Sequence, residues 1–444
     1  MTTHERIANT AQRALASLAI ALACSCGRSA PAREVAREPV ARALSAPAAH
    51  GLVLAPQPGE QPIDLRIRAQ QERVRRSKVP VPELERLGLM FVGRARELSD
   101  PGGYTLALSA SSAMQELEPS SRAALLLRGM ALHGLHRFSD AEAIARTLVA
   151  TRGLPTDLGL LGDVLADRGA LDEAIAVYQR MVDLRPDLHA YARAAHVRYL
   201  KGDVRGAAQA MTLAARAASP RNGESFAWAF AKLASYQLQL GELRAAREAT
   251  RRAREVSPGS LPALKSEAQI FVFEGALDAA LSPLREAIAR SPHPELLWME
   301  GDVLEALGRA AEAAAVRARL KASGAQEDPR AYALYLASRG ESLAEASVLA
   351  QAELAERRDV YSYEALGWVQ SARGEHREAL ASARRALAEG TEDARLLYHA
   401  GMIAARAQQP DEARRWLTKA SALSGMLFPS QRARLAEQLT AQLP

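Results

Sequence analysis

The sequence has 444 residues, with 57 Lys and Arg against 51 Asp and Glu, 5% aromatic residues and two cysteines. Both cysteines, Cys24 and Cys26, lie near the N-terminus, which excludes a disulfide, a cysteine–zinc site or a cysteine nucleophile from the remaining chain. The net charge of +6 comes from the first 80 residues, because residues 81–444 carry 45 basic and 45 acidic side chains. This equal number of basic and acidic side chains gives no support for the sustained basic face that nucleic-acid binding requires.

The first residues have the pattern of a cleaved export signal. Arg6 and Arg13 precede an apolar run of ten residues, 14–23, which is too short to span a membrane as a stable helix. A charged segment followed by a short apolar segment is typical of a signal peptide. We place this signal peptide at residues 1–23.

The apolar run ends in ALAC, residues 21–24, which resembles the cleavage box of bacterial lipoproteins. The resemblance implies that Cys24 becomes the lipidated N-terminus. It also implies attachment to the bacterial cell envelope, at the periplasmic face of the outer membrane. Leu22 stands two residues before the cysteine, whereas the family has its leucine three before it. Lipidation at Cys26 and plain secretion therefore stay open.

Two segments of different composition follow. Residues 24–62 are rich in Ala, Pro and Arg and show no apolar periodicity, which predicts a disordered tether. Residues 63–80 are basic and predict one helix. This helix either contacts anionic lipid headgroups or an acidic partner, or is a solvated lead-in that packs lightly on the following helices.

A glycine followed five residues later by an alanine recurs with a period near 34. Six copies have both residues: Gly169/Ala174, Gly202/Ala207, Gly241/Ala246, Gly275/Ala280, Gly308/Ala313 and Gly374/Ala379. Three copies depart from the pattern: His136/Ala141, Gln408/Ala413, and Gly340, which has Glu345 at the expected place and Ala346 one residue later. Glycine permits the turn between two helices, and a small residue lets them approach closely. The period indicates an array of helical hairpins.

The pattern resembles the tetratricopeptide repeat. In the clearest copy, residues 158–186, five residues stand at the positions of that family: Gly162, Gly169, Ala174, Tyr178 and Pro186. The resemblance covers residues 122–427 and implies an all-α, right-handed α-solenoid of nine or ten hairpins. Residues 81–121 are interpreted as a degenerate N-terminal hairpin, and residues 428–444 as a C-terminal capping helix.

In the tetratricopeptide-repeat family, the first helices of the hairpins line a concave groove that holds a peptide or a partner's helix. Positions projected from the turn glycines give the candidate groove residues: Trp228, Lys265, Gln269, Trp298, Asp302, Glu305, Tyr361, Glu364, Trp368, Arg395 and Tyr398. Three of the four tryptophans belong to this set, and aromatic side chains are common interface anchors. A shift of one residue in helical phase would place them in the core instead.

No catalytic or metal-binding motif stands out from the repeats. The sequence has no glycine-rich phosphate loop, no G-x-S-x-G and no H-E-x-x-H. We therefore expect no catalytic residues, cofactor, metal or small-molecule substrate. The expected function is a membrane-anchored scaffold that binds a protein or peptide partner in its groove, in envelope assembly. Two alternatives stay open: an enzyme subunit that uses polar groove residues, and a structural spacer of the envelope.

Overall fold

The computed structural model describes residues 46–98 and 100–442, and the regular elements in this part of the chain are all helices. In chain order they are α1 Ala46–Leu54, α2 Pro62–Arg76, α3 Pro80–Leu98, α4 Gly102–Leu117, α5 Arg122–Gly134, α6 Phe138–Thr151, α7 Pro155–Asp167, α8 Leu171–Leu184, α9 Leu188–Leu200, α10 Val204–Ala217, α11 Gly223–Gln239, α12 Leu243–Val256, α13 Leu261–Glu274, α14 Leu277–Arg290, α15 Pro294–Ala306, α16 Ala310–Glu327, α17 Pro329–Arg339, α18 Leu343–Glu356, α19 Val360–Ala372, α20 His376–Ala386, α21 Ala394–Arg406, α22 Pro410–Ala422 and α23 Pro429–Gln442. A short 3-10 helix, η1, covers Ser424–Met426.

The N-terminal part of this structure differs from the tether predicted for residues 24–62. α1 packs on α4 and fully buries Ala49 and Val53, and α2 begins at Pro62. The prediction of a disordered tether is therefore wrong for residues 46–54 and stays a prediction for residues 24–45. The residues before 46, which include Cys24 and the predicted signal peptide, lie outside the described part of the chain.

The basic segment predicted for residues 63–80 corresponds to α2, which packs on α3. Its buried face includes Ile63, Ile67 and Val74. Asp64 is also buried on this face, and its carboxylate accepts a hydrogen bond from Arg94 of α3 at 2.9 Å. The segment is thus the packed lead-in helix of the second alternative, and contact with lipid or an acidic partner stays a prediction.

Nine hairpins then follow, from α5 with α6 to α21 with α22, in the register of the glycine–alanine pattern. The turn position of each hairpin adopts a left-handed backbone: the seven glycines have φ of 69° to 83°, and His136 and Gln408 have φ of 58° and 55°. The alanines of the pattern are fully buried at the contact between the two helices: Ala141, Ala174, Ala207, Ala246, Ala280, Ala313, Ala346, Ala379 and Ala413. The predicted α-solenoid of helical hairpins is therefore confirmed.

The alanine of α18 comes one residue late because two residues, and not one, separate the turn glycine from the second helix. Ser342 adds a second left-handed residue, with φ of 42°, before α18 begins at Leu343. Ala346 is therefore the fourth residue of α18, as Ala174 is the fourth residue of α8. The position within the second helix, rather than the distance from glycine, decides where the small residue is needed.

The step from Gly202 to Gly241 is longer than the period near 34 because the first helix of that hairpin is longer. α11 begins at Gly223 and has 17 residues, whereas α9 has 13. Asn222 caps α11 by accepting a hydrogen bond from the backbone N–H of Ser225. Most of the extra residues therefore form one more helical turn.

Replacing Gln408 by glycine is expected to stabilise the protein by about 1 kcal/mol, because a left-handed backbone costs an L-residue about 1–2 kcal/mol. The reverse change, Gly374→Ala, is expected to cost a similar amount, since the added methyl group meets no neighbouring atom and only the backbone strain remains. Denaturant unfolding followed by circular dichroism measures both. Equal stability of wild type and Gln408→Gly would contradict the expectation.

The array of hairpins curves until distant repeats meet. First helices of neighbouring hairpins contact each other on the inner side, as α11 does with α13 and α19 with α21. At the meeting point, the backbone N–H of Arg358 donates to the carbonyl oxygen of Asp167 at 3.0 Å. The Thr391 hydroxyl donates to the carbonyl oxygen of Leu200 at 2.6 Å. Segments about 190 residues apart in sequence are thus joined by direct hydrogen bonds.

Two turn glycines are needed for this closure as well as for their turns. A Cβ atom on Gly169 would lie 2.4 Å from the carbonyl oxygen of Arg358, and one on Gly202 would lie 2.4 Å from that of Gly390. Real Cβ atoms do not approach backbone oxygens so closely. The closed arrangement therefore requires glycine at both positions.

Candidate functional site

The inner side of the solenoid holds a cavity of about 300 Å³. α11, α13 and α15 supply one wall, and residues 393–395 and 426–431 contribute to the other. Four of the candidate groove residues lie in these walls, namely Trp228, Lys265, Gln269 and Arg395, and Glu295 lies there with them. Gln269 Nε2 donates to the carbonyl oxygen of Met426 at 3.2 Å, across 157 residues of sequence. The cavity therefore exists only because the array closes.

Glu295 links the two walls of the cavity electrostatically. Its carboxylate accepts a hydrogen bond from the Lys265 ammonium and lies 3.3 Å from the Arg395 guanidinium. Burial raises the pKa of Glu295, but the charges of Lys265 and Arg395 outweigh burial and hold the pKa well below its usual range. Glu295 is thus a carboxylate at neutral pH and the shared counter-ion of Lys265 and Arg395.

Arg395 also joins a buried network with Glu364 and His399. Arg395 Nε donates to Glu364 Oε1 at 3.2 Å, and His399 Nδ1 lies 2.8 Å from the same oxygen. The His399 ring stacks on Trp368 with 4.2 Å between ring centres. Burial lowers the pKa of His399, although Glu364 acts in the opposite direction. Glu364 was expected in the groove, but it is only 3% exposed and belongs to the interior.

Helix α23 and the residues before it cover the other half of the predicted groove. Trp298, Trp368 and Tyr398 are 6%, 2% and 1% exposed, and the Phe428 ring packs edge-on against Trp298 at 5.1 Å between centres. The expectation that Trp298, Trp368 and Tyr398 face a partner is therefore corrected. These side chains do lie on the inner side of the solenoid, but α23 and the residues before it occupy the space in front of them.

The polar residues of this covered half are also satisfied within the chain. Asp302 accepts hydrogen bonds from the backbone N–H of Ser430 at 2.9 Å and from its hydroxyl at 2.5 Å. Burial raises the pKa of Asp302, and the hydrogen bonds from Ser430 oppose that effect. Glu305 is half-buried between Arg317 and Arg339. Both carboxylates hold helices together, which corrects their placement in an open groove.

Tyr361 is half-buried and lies outside the walls of the cavity. Its ring packs under the Arg330 guanidinium, which is 5.5 Å from the ring centre. The ring also packs against buried apolar residues of the N-terminal half of the array. Its place in the structure is therefore a contact between helices and not an open position of the predicted groove.

Several residues of the cavity were not among the sequence candidates. Lys232 follows Trp228 by four residues on α11, so helical spacing could have found it. Burial lowers the pKa of Lys232, and the charge of Lys265 adds to this effect. Met426, Phe428 and Gln431 follow the last hairpin, where no repeat register applies. Only the tertiary structure shows that they reach α11 and α13.

The free energy of unfolding is expected to fall as the pH drops from about 6.5 towards about 4, because the folded protein keeps His196 neutral. Burial lowers the pKa of His196 to about 4, and the charge of Lys232 adds to this, whereas an unfolded histidine titrates near about 6.5. The unfolded state therefore binds more protons within this window. The contribution of neutral His196 to the free energy of unfolding is complete above about pH 6.5. Its loss on acidification amounts to about 2 kcal/mol for this half-buried group.

Unfolding of the wild type and of His196→Gln across this pH range measures the effect. The variant should lose less stability on acidification than the wild type does. His376→Gln, which replaces an exposed histidine, serves as the control and should behave like the wild type. Identical pH profiles for His196→Gln and the wild type would contradict the assignment.

Two further observations concern the described residues, 46–98 and 100–442. Within them, no three His, Cys, Asp or Glu side chains stand close enough together to hold a metal ion. None of their helices combines the length and the apolar character needed to cross a membrane.

Comparison with solved structures finds similar helical arrays at low sequence identity. One similar structure is the crystal structure of the APC/C hetero-tetramer Cut9–Hcn1, with 14% sequence identity and a TM-score of 0.45. The match covers 89% of this chain and 62% of that chain, so this chain spans less than two thirds of that protein. The human IFIT1 dimer with PPP-AAAA is 12% identical with a TM-score of 0.46, covering 85% and 94%. A thermophilic protein of Thermus thermophilus is 20% identical with a TM-score of 0.37, covering 43% and 99%.

Comparison of the sequence with protein families gives a match to three stretches of the array. No curated protein matches the chain. The family model of the tetratricopeptide repeat matches residues 158–189, 266–329 and 364–425, which lie within the hairpins described above. The left-handed turn residue and the buried alanine recur in these hairpins with the period of that family. These three stretches are therefore similar to tetratricopeptide repeats, and the other hairpins share their left-handed turn and buried alanine.

Proposed function

We propose that the protein is a scaffold that binds a protein partner on the inner face of α11 and α13, next to the cavity. The observation that carries this proposal is Trp228, which is 39% exposed and is the one exposed large aromatic side chain among the described residues. Tryptophan is enriched among the few residues that supply most of the binding energy of interfaces. A preformed helical surface also loses little conformational entropy on binding.

The surroundings of Trp228 support the same surface. Lys265 and Gln269 on α13 carry half-buried polar groups beside it, and Pro262 is exposed at the start of that helix. An aromatic anchor bordered by polar groups is the usual composition of a non-obligate interface. The covered residues Trp298 and Trp368 take no part in this proposal, since they pack inside the chain.

Replacing Trp228 by alanine tests the proposal. A tagged wild-type protein is cross-linked to its neighbours and purified, the partner is identified by mass spectrometry, and its dissociation constant is measured with both proteins. Loss of a central tryptophan costs about 2 kcal/mol or more, so Trp228→Ala should weaken binding at least about thirty-fold. Leu213→Ala is the control, because Leu213 is comparably exposed, at 46%, on the second helix of another hairpin. Equal affinity of Trp228→Ala and wild type for the partner would overturn the proposal.

We infer from the sequence that the scaffold is held at a bacterial envelope by a lipid on Cys24, where it takes part in assembly. The support is the charged and apolar segment before ALAC, together with the lack of other cysteines than Cys24 and Cys26. Labelling with a radioactive fatty acid in a bacterial host should mark the wild type and Cys26→Ala but not Cys24→Ala. Label that persists in Cys24→Ala would refute lipidation at Cys24.

A further inference from the structure

We propose that the cavity between α11, α13 and α15 binds a small organic anion, namely a carboxylate or sulfonate attached to a compact aromatic or other apolar body. This ligand differs from the sequence-based expectation of no small molecule, and it goes beyond the proposed scaffold function. Trp228 borders the cavity, so the anion would lie beside the surface proposed for the protein partner.

The charges of the cavity leave one cation without a counter-ion. Three cations and two carboxylates lie in its walls: Lys232, Lys265, Arg395, Glu295 and Asp393. Glu295 is shared by Lys265 and Arg395. Asp393 accepts from the Tyr199 hydroxyl at 2.7 Å and from the backbone N–H of Arg395 at 2.9 Å. Both carboxylates are thus already engaged by groups of the chain.

Lys232 has no carboxylate partner among the described residues. Its ammonium lies over the Tyr236 ring, 5.3 Å from the ring centre, which is a weak substitute for an anion. A partly buried cation loses part of its hydration, and only a counter-ion or hydrogen-bond acceptors compensate for this loss. An anionic group placed in the cavity beside Lys232 would supply both.

A second wall residue points to the same ligand chemistry. Gln431 is 5% exposed, its side-chain oxygen accepts from the backbone N–H of Phe428 at 3.2 Å, and its amide nitrogen has no acceptor among the described residues. A buried donor without an acceptor is unfavourable and rare in proteins. Because Gln431 belongs to α23 and Lys232 to α11, two separate elements leave hydrogen-bond donors unmatched at one cavity.

The remaining walls and the volume determine the rest of the ligand. Trp228, Leu238, Met426 and Phe428 give the cavity apolar surface beside the cation. A volume of about 300 Å³ is at the lower end of the range for small-molecule sites. η1 lies against α13, and its residue Met426 lines the cavity. A compact ligand therefore fits this space better than an extended peptide does.

Anilinonaphthalene sulfonate is a suitable probe, since it combines an anionic group with an aromatic body and fluoresces when bound in an apolar site. Titration of the full chain should show one saturable site. Lys232→Met keeps the length of the side chain without its charge and should weaken binding at least about ten-fold; Gln431→Leu should weaken it about three-fold. Lys321→Met is the matched control, because Lys321 of α16 forms a surface ion pair with Glu341 and neither residue lines the cavity. The affinity of this variant should equal that of the wild type. Circular dichroism melting verifies that each variant is folded.

Competition experiments on the wild type test the proposal without relying on a variant. Naphthoate should displace the probe, and naphthamide, which has the same shape and no charge, should not. Equal displacement by both compounds, wild-type affinity of Lys232→Met, or the lack of a saturable site would each overturn the proposal. Displacement by a capped acidic peptide but not by naphthoate would also overturn it and would assign the cavity to a peptide instead.

Discussion

Trp298→Ala is expected to lower the free energy of unfolding by about 3–5 kcal/mol, the range for removing a buried tryptophan. Trp298 is 6% exposed, and its ring packs edge-on against Tyr335 at 6.0 Å and against Phe428 at 5.1 Å between centres. It therefore connects α15 with α17 and with the C-terminal segment. Its removal leaves a cavity at the point where these three parts meet.

Denaturant unfolding followed by circular dichroism measures this loss. Trp228→Ala is the matched control within the same chain, since Trp228 is 39% exposed and its removal should cost less than about 1 kcal/mol. A loss below about 1 kcal/mol for Trp298→Ala as well would show that the C-terminal segment does not cover this residue in solution.

Arg395→Met is expected to cost about 3 kcal/mol, because it leaves a buried carboxylate without its cationic partner. Glu364 lies 3.2 Å from Arg395 and is 3% exposed, so most of the cost arises there. Glu295 keeps Lys265 as a partner and contributes less. The charge of Arg395 holds the pKa of Glu364 below its usual range in spite of burial. The variant loses this stabilisation of the buried carboxylate, which keeps only the contact with His399.

A double variant separates the lost pair from the lost side-chain packing. Arg395→Met combined with Glu364→Gln should recover part of the stability, because a neutral amide tolerates burial better than an unpaired carboxylate does. Arg384→Met is the control for an exposed ion pair, that of Arg384 with Glu412, and should cost less than about 1 kcal/mol. Equal losses for Arg395→Met and Arg384→Met would contradict the network.

The repeats were predictable because their determinants are local. The left-handed turn at Gly169 and the small residue at Ala174 act within one hairpin, so their spacing recurs wherever the hairpin does. Even the copies without glycine, at His136 and Gln408, keep the left-handed turn. Contacts between the two helices of one hairpin therefore decide this part of the fold.

The N-terminal helix α1 was not predictable by the same means. Its sequence, APAAHGLVL, has no clear apolar periodicity and follows a segment rich in proline. Its buried residues Ala49 and Val53 pack against α4, more than a full helix away in sequence. Since a short helix is only marginally stable by itself, packing and not local preference decides that it forms.

From the sequence follow the all-α class, the hairpin repeats and the helical phase that places Trp228, Trp298 and Trp368 on the inner side. Whether those tryptophans are open to a partner depends on the curvature summed over many hairpins. That curvature brings Met426 against Gln269 and Ser430 against Asp302, so the chain covers Trp298 and Trp368 and leaves Trp228 exposed beside a cavity. Small rotations between neighbouring repeats accumulate along a solenoid, and no local pattern records their sum.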